Sequence, residues 1–455
     1  MNTSHDDIQG WLRDRLGSLW GAPVTIEGMR RLSGGASRDT WSLDATTAGG
    51  SAQPLILRCD PLVKPSPEVM AREAAALSAA AEAGVPVARL VDHGTGLGRA
   101  YLLMERVEGE TIPRRLLRDE RFAAVRPKLA RELGRVLARI HSIPRAAVPD
   151  LPEVDPLDHI TSVYREFDDP RPAVELGLRW LSDHRPASSR RACVVHGDFR
   201  NGNLMIDESG VRAVLDWELT HVGDPVEDLG WLCVKAWRFG SAEPAGGFGP
   251  REELLAGYAE TAGDRPSSAD LHWWEVYGTL RWAVLCRMQA DRFLSGAEQD
   301  VEYAVLGRKV CEQEYDVLLA LGLVEPGTLP DVLDGRDDTT AAPPHDRPGA
   351  DALLRSVQVF LTEETTGDPR LRFLSKVAAN AVAIARREAL LAPAHAEAHA
   401  HRLAALGRSD DRELAEAIRD GAVDPGDPAV LAAVRGGVTD KLAVANPAYA
   451  AQAAR

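Results

Sequence analysis

The sequence predicts an α+β protein of two lobes, a small antiparallel β-rich lobe followed by a large, mostly helical one, with a small all-α segment behind them. Three observations carry this. Apolar runs of strand length, broken by turn residues, are concentrated in the first hundred or so positions. Amphipathic helical patterns dominate from residue 126 onward, interrupted by one strand–loop–strand stretch at 194–218. A break rich in Pro, Gly, Asp and Thr at 325–348 is followed by Ala-, Leu- and Arg-rich sequence of helical period. With 455 residues the chain is long enough for two or three domains. The predicted division is an N-terminal lobe over 1–107, a C-terminal lobe over 108–325, a linker over 326–348 and a helical domain over 349–455.

Composition narrows the function. A hydrophobic content of 45% and a charged content of 27% are those of an ordinary globular protein. The net charge of −15 argues against nucleic acid or an anionic membrane as main partner, since both demand a basic face. The start of the chain is polar and acidic, without the pattern of a secretory signal, and no apolar run reaches bilayer length. Five scattered cysteines, Cys59, Cys193, Cys233, Cys286 and Cys311, form no Cys-x-x-Cys pair and read as reduced packing residues. A cytoplasmic protein is expected.

The first element is an amphipathic helix over 8–20, with Ile8, Trp11, Leu12, Leu16, Leu19 and Trp20 near one side. Two strand-like pieces follow around Ser33-Gly34-Gly35-Ala36-Ser37-Arg38, a turn whose small side chains would let backbone N–H groups approach phosphate oxygens. A strand over 54–59 carries Arg58, and an Ala-rich helix over 67–82 carries Glu73. Strands over 87–92 and 100–107 complete the small lobe. In the large lobe, Leu129, Leu133, Val136, Leu137 and Ile140 mark a strongly amphipathic helix, and 150–190 holds further helical pieces.

The stretch 194–218 concentrates the chemistry. It contains Val194-Val195-His196-Gly197-Asp198-Phe199-Arg200-Asn201-Gly202-Asn203, two β-prone runs joined at Asp207-Glu208-Ser209-Gly210, and then Asp216-Trp217-Glu218. Phosphoryl transfer needs one carboxylate to orient a hydroxyl and hard oxygen ligands for Mg²⁺. Asp198 and Asn203 have the Asp-x-x-x-x-Asn spacing of a catalytic base followed by a metal ligand, and Asp216 ends the next strand as a second ligand. Any one of these residues alone would read as a turn or strand cap. Their order and spacing together point to phosphoryl transfer.

In its His196-Gly197-Asp198 and Asp216-Trp217-Glu218, the segment resembles the aminoglycoside phosphotransferase family, small-molecule kinases of protein-kinase-like fold. The resemblance implies ATP and Mg²⁺ as cofactors, Asp198 as catalytic residue, and Asn203 and Asp216 as metal ligands. It implies nucleotide contacts at Ser33, Gly34, Gly35, Ser37 and Arg38. Arg58 stands where a kinase carries a strand lysine, with Lys64 as fallback, and Glu73 matches the helix carboxylate that pairs with that cation. The run through Glu105 and Val107 looks like the hinge whose main chain reads adenine. Leu57-Arg58, Arg281-Trp282 and Glu314-Tyr315 look most like the branch related to the kinase domain fused to acyl-CoA dehydrogenases in animals. That implies a hydroxyacyl acceptor, free or as its CoA thioester, with an aminoglycoside as the competing acceptor. A non-catalytic nucleotide-binding regulator is the alternative of a different class; its support is arginine in place of the strand lysine.

Beyond the motif, Asp224-Pro225 reads as a tight turn and Asp228 as a helix-opening residue that either favours the helix dipole or ties down the loop. Helices are expected at about 270–293 and 301–323, with Trp273, Trp274, Tyr277, Trp282, Met288 and Tyr315 as core more than ligand box, part of the stripe being open to an apolar acceptor. His395, His399 and His401 lack an HExxH pattern and are not read as a metal site. The final helical region resembles an appendage of no assigned role found after some bacterial phosphotransferases, and is expected either to pack on the kinase lobes or to meet a second chain, as a homodimer or with a protein partner.

Overall fold

The computed structural model describes residues 5–32, 38–61, 66–187, 192–335, 349–363 and 367–452. The chain opens with α1 (His5–Trp20), β1 (Val24–Arg31), β2 (Asp39–Thr47), β3 (Gln53–Cys59), α2 (Pro67–Glu82), β4 (Leu90–Gly96) and β5 (Arg99–Glu105). The middle brings α3 (Pro113–Arg118), α4 (Arg126–His141), α5 (Pro156–Glu166), α6 (Pro172–Asp183), β6 (Cys193–Val195), β7 (Leu204–Asp207), β8 (Gly210–Val214) and β9 (His221–Gly223). Helices α7 (Val226–Cys233), α8 (Arg251–Ala262), α9 (Ser268–Leu294), α10 (Val301–Gly307) and α11 (Val310–Ala320) follow. The last are α12 (Ala350–Glu363), α13 (Pro369–Ala405), α14 (Asp411–Arg419), α15 (Pro428–Ala445) and α16 (Tyr449–Gln452).

One compact unit comprises residues 1–154, 188–233 and 237–271. Its first part is a five-stranded antiparallel sheet in the order β1-β2-β3-β5-β4. Ile8, Leu12 and Leu16 of α1 form one core with Leu43, Leu55, Leu57 and Leu103 of the sheet. Strand side chains alternate between faces, so with Leu55, Leu57 and Cys59 in that core, Ile56 and Arg58 turn to the opposite face. Helix α2 keeps Met70, Glu73, Ala74 and Leu77 buried. Its glutamate is an ionisable group in an otherwise apolar row, which demands a partner.

The rest of this unit packs α4 against α8 through two glycines. A Cβ on Gly134 would stand 2.1 Å from the Leu254 carbonyl oxygen, and one on Gly257 would stand 1.9 Å from that of Arg131. Two short antiparallel ladders, β6 with β9 and β7 with β8, carry the polar loop between β6 and β7.

The other unit comprises residues 155–187, 234–236 and 272–455. It is helical. Leu176, Tyr315, Leu318, Leu414, Ile418, Val434 and Leu442 form one buried cluster, so the C-terminal helices α14 and α15 share a core with α6 and α11. Glu314 is fully buried between Arg171, at 3.4 Å, and Lys441, at 3.3 Å. Trp273, Trp274 and Tyr277 are buried in mutual ring contact, a packing role. The single helix expected over 301–323 is two, α10 and α11.

Candidate active site

The loop between β6 and β7 is fixed from below by one buried carboxylate. Asp228, in the first turn of α7, accepts the backbone N–H of His196 at 2.7 Å and of Gly197 at 2.9 Å, while His141 Nε2 lies 3.1 Å from it. Burial disfavours its charge, but the contacts with His141 outweigh this, and its pKa is lowered. Gly197 has φ of +79°, and a Cβ there would stand 2.3 Å from the Leu219 carbonyl oxygen. The arginine of a His-Arg-Asp loop therefore has no room here; glycine is what the backbone allows.

Asp198 is held from three sides. Asn203 Nδ2 donates to its Oδ2 at 2.6 Å and to its main-chain oxygen at 3.0 Å. Trp231 Nε1 donates to Oδ1 at 2.8 Å. Arg200 Nε lies 3.1 and 3.2 Å from the two carboxylate oxygens, with its guanidinium 4.6 Å from the Trp237 ring centre. The sequence reading did not single out Arg200 or Trp231 for this role. Arg200 was visible two positions after Asp198, whereas nothing local marks a tryptophan 33 residues away.

Asn203 and Asp216 stand at the same end of the β7–β8 hairpin. The ladder pairs Leu204 with Val214, and the Leu215 N–H donates to the Asn203 carbonyl at 2.8 Å, so Asp216 lies one residue beyond Asn203's partner. Asp216 has φ of +66° and ψ of +68°, an uncommon left-handed conformation for a non-glycine residue that turns the chain sharply out of the ladder.

From the sheet, Arg58 reaches the same place. Its Nη1 is 2.5 Å from Glu73 Oε1 and its Nη2 is 3.3 Å from Asp216 Oδ1. Burial opposes the guanidinium charge, but Glu73, Asp216 and Glu218 outweigh it and the pKa is raised. Arg38 bonds the other oxygen of Glu73 and lies 3.4 Å from Asp60 and 3.6 Å from Glu218. Glu73 is thus one buried carboxylate serving two guanidinium groups. Glu218 has its pKa raised by burial and by the neighbouring Asp216.

Among the other expected nucleotide contacts, Ser33, Gly34, Gly35 and Ser37 lie outside the described residues, as does Lys64. Glu105 ends β5 with its N–H on the Arg89 carbonyl at 2.9 Å and its carboxylate on the Arg89 guanidinium. The next N–H, of Arg106, goes to Pro54, and Val107 is half-buried in the chain that follows. Among the described residues no three His, Cys, Asp or Glu side chains cluster as a metal site. One carboxylate and one amide oxygen, from Asp216 and Asn203, nonetheless fit Mg²⁺, which keeps waters and phosphate oxygens as its remaining ligands. Asn203 spends its Nδ2 on Asp198, which leaves Oδ1 as the atom to face a cation.

The chain is 29% identical over 253 residues to acyl-CoA dehydrogenase family member 10 of Mus musculus, covering 51% of this chain and 22% of that protein. It is 26% identical over 330 residues to family member 11 of Gallus gallus, covering 64% of this chain and 40% of that protein. The chain therefore spans well under half the length of these relatives. Among solved structures, aminoglycoside phosphotransferase APH(4)-Ia in ternary complex with AMP-PNP and hygromycin B aligns at 16% identity and TM-score 0.46, over 68% of this chain and 98% of that one. Macrolide 2'-phosphotransferase MphH from Brachybacterium faecium aligns at 19% and 0.44, over 69% and 98%. Residues 365–449 match a domain of unknown function, DUF6285. Residues 28–272 match the phosphotransferase enzyme family, and because that match spans more than half of the chain, the protein belongs to this family.

Proposed function

We propose that the protein transfers the γ-phosphoryl group of ATP to a hydroxyl of a small metabolite. The observation that carries this is Asp198, held by Asn203, Arg200 and Trp231 next to the Arg58–Asp216 ion pair. Asp198 orients the acceptor hydroxyl and takes up its proton as the new O–P bond forms and the bond from the γ-phosphorus to the β,γ-bridging oxygen breaks, with ADP as the leaving group. Asn203 and Asp216 would hold Mg²⁺, which supplies charge neutralisation on the phosphates. Arg58, fixed by Glu73, contacts phosphate oxygens, for which a guanidinium offers paired donors. The Ser33, Gly34, Gly35, Ser37 and Arg38 stretch covers the phosphates, and the main chain from Glu105 to Val107 meets the base. In a loose transition state, positioning and charge stabilisation supply most of the acceleration.

The acceptor class rests on likeness to the acyl-CoA dehydrogenase family members, which favours a hydroxyacyl compound, free or as a CoA thioester. An ATP-consumption assay over hydroxyacyl-CoAs and aminoglycosides separates the two acceptors. Residues 1–107 and 108–325 act as the two lobes, and the helices after 349 serve association. Asp198→Asn is the test of the reaction. Turnover should fall by about 10²–10⁴-fold with ATP binding kept, the range that general base catalysis supplies; undiminished turnover removes Asp198 from the chemistry.

A further inference from the structure

Helix α12 is amphipathic yet has no buried residue. Among the described residues, twelve large apolar side chains are strongly exposed, and six of them, Leu353, Val357, Val359, Phe360, Leu371 and Phe373, fall within α12 and the first turn or two of α13. The inner side of α12 is already satisfied. Arg386 of α13 bonds Asp351 at 2.8 Å and Gln358 at 2.7 Å across the hairpin, and Leu354 and Leu361 are half-buried. Its outer side is a stripe at positions i, i+3, i+4 and i+7, made of Leu353 (53% exposed), Ser356, Val357 (46%) and Phe360 (63%).

This stripe reads the same in both directions, with a large residue at each end and two smaller ones in the middle. We infer that it is the contact between two copies of this chain, packed antiparallel about a two-fold axis between Ser356 and Val357. In that register Leu353 of one copy meets Phe360 of the other, and Ser356 meets Val357, as an isologous interface requires. The small central pair allows close approach of the helix backbones, and the large terminal residues fill the ends. No like charges meet: Asp351 falls opposite Thr362, Arg355 opposite Gln358, and Glu363 opposite Ala350. With Val359 left out, the five other exposed apolar side chains offer roughly 450 Å² per copy, over half of an interface that buries about 800 Å² per partner once its polar rim is added. Two hairpins joined this way make a four-helix bundle.

The test is the mass of the full chain in solution by light scattering at tens of micromolar. The expected mass is twice the 49.2 kDa of one chain. Phe360→Glu should reduce it to one chain with unchanged helix content, whereas Val359→Glu, on a neighbouring exposed side about 100° away around the helix, should leave the dimer intact. The register is read separately. Leu353→Cys mixed with Phe360→Cys should cross-link between chains with a short bismaleimide, and either variant alone should not. A monomeric wild-type chain, a dimer that survives Phe360→Glu, or equal loss with Val359→Glu would each overturn the assignment.

Discussion

His196 donates its Nε2–H to the carbonyl of Leu215 at 3.1 Å and accepts the N–H of Asp198 at its Nδ1, 3.2 Å away. One neutral imidazole therefore joins the residue before Asp216 to the backbone of Asp198. Its ring is fully buried, and burial lowers its pKa although Asp228, Asp198 and Asp216 oppose the shift. With a depressed folded-state pKa, its contribution to stability is complete above the unfolded value of about 6.5 and is lost as pH falls below it, by at most about 1.4 kcal/mol per pH unit. Urea unfolding at pH 7 and pH 5 should show this slope, and His196→Gln should flatten it. An identical slope in the variant would show that His196 is not its source.

Glu73 is fully buried between two guanidinium groups. Removing it leaves two buried cations facing one another, so Glu73→Gln should cost about 3 kcal/mol of stability. It should also raise the KM for ATP about tenfold, because Arg58 loses the contact that aims it. A loss of stability with unchanged ATP affinity would confine Glu73 to a structural role.

Trp231→Phe keeps the packing and removes the 2.8 Å hydrogen bond to Asp198. A hydrogen bond to a charged group contributes about 1.5 kcal/mol or more, so kcat should drop about tenfold while KM for ATP stays near its original value. Steady-state kinetics reads both constants. A change in KM alone would place Trp231 outside the positioning of Asp198.

Substitution of the helix-crossing glycines gives a pure stability readout. Gly257→Ala places a methyl against the Arg131 backbone and should destabilise by about 3 kcal/mol. Gly10→Ala in α1 meets nothing closer than the Arg13 guanidinium at 3.9 Å and should stabilise by about 0.5–1 kcal/mol. Denaturant midpoints check both signs.

Much of this was readable in the letters, for identifiable reasons. Helix α2 runs over the expected residues 67–82, since Pro67 starts it and helix formers fill it. The spacing singles out Asp198 and Asn203 as base and metal ligand, but it does not foresee that the amide bonds the carboxylate directly. Strand β4 is shifted to Leu90–Gly96 from the expected 87–92; it is a half-exposed edge with two glycines, defined by its partner β5 more than by its own pattern. Strand β9 has three residues and exists through pairing with β6, which no local period announces. The break between α10 and α11 falls at Gly307-Arg308-Lys309, where a glycine and two basic residues mark the end of a helix in the sequence itself. The resemblance implied the pairing of Arg58 with Glu73, but that Arg38 shares the same carboxylate depends on the pairing of β2 with β3 and on the placing of α2, long-range geometry that spacing along the chain does not encode.

Glu314 lies with no exposed surface, and the attraction of Lys441 and Arg171 holds its pKa below the usual range against the cost of burial. One of those cations comes from α15, ninety-odd residues past the Pro- and Asp-rich stretch that looks like a natural place to cut. A chain ended there would strand a desolvated anion and uncover the apolar side of α11 and α6. The C-terminal helices are therefore a wall of the helical core, and trimming them for convenience would yield an insoluble fragment.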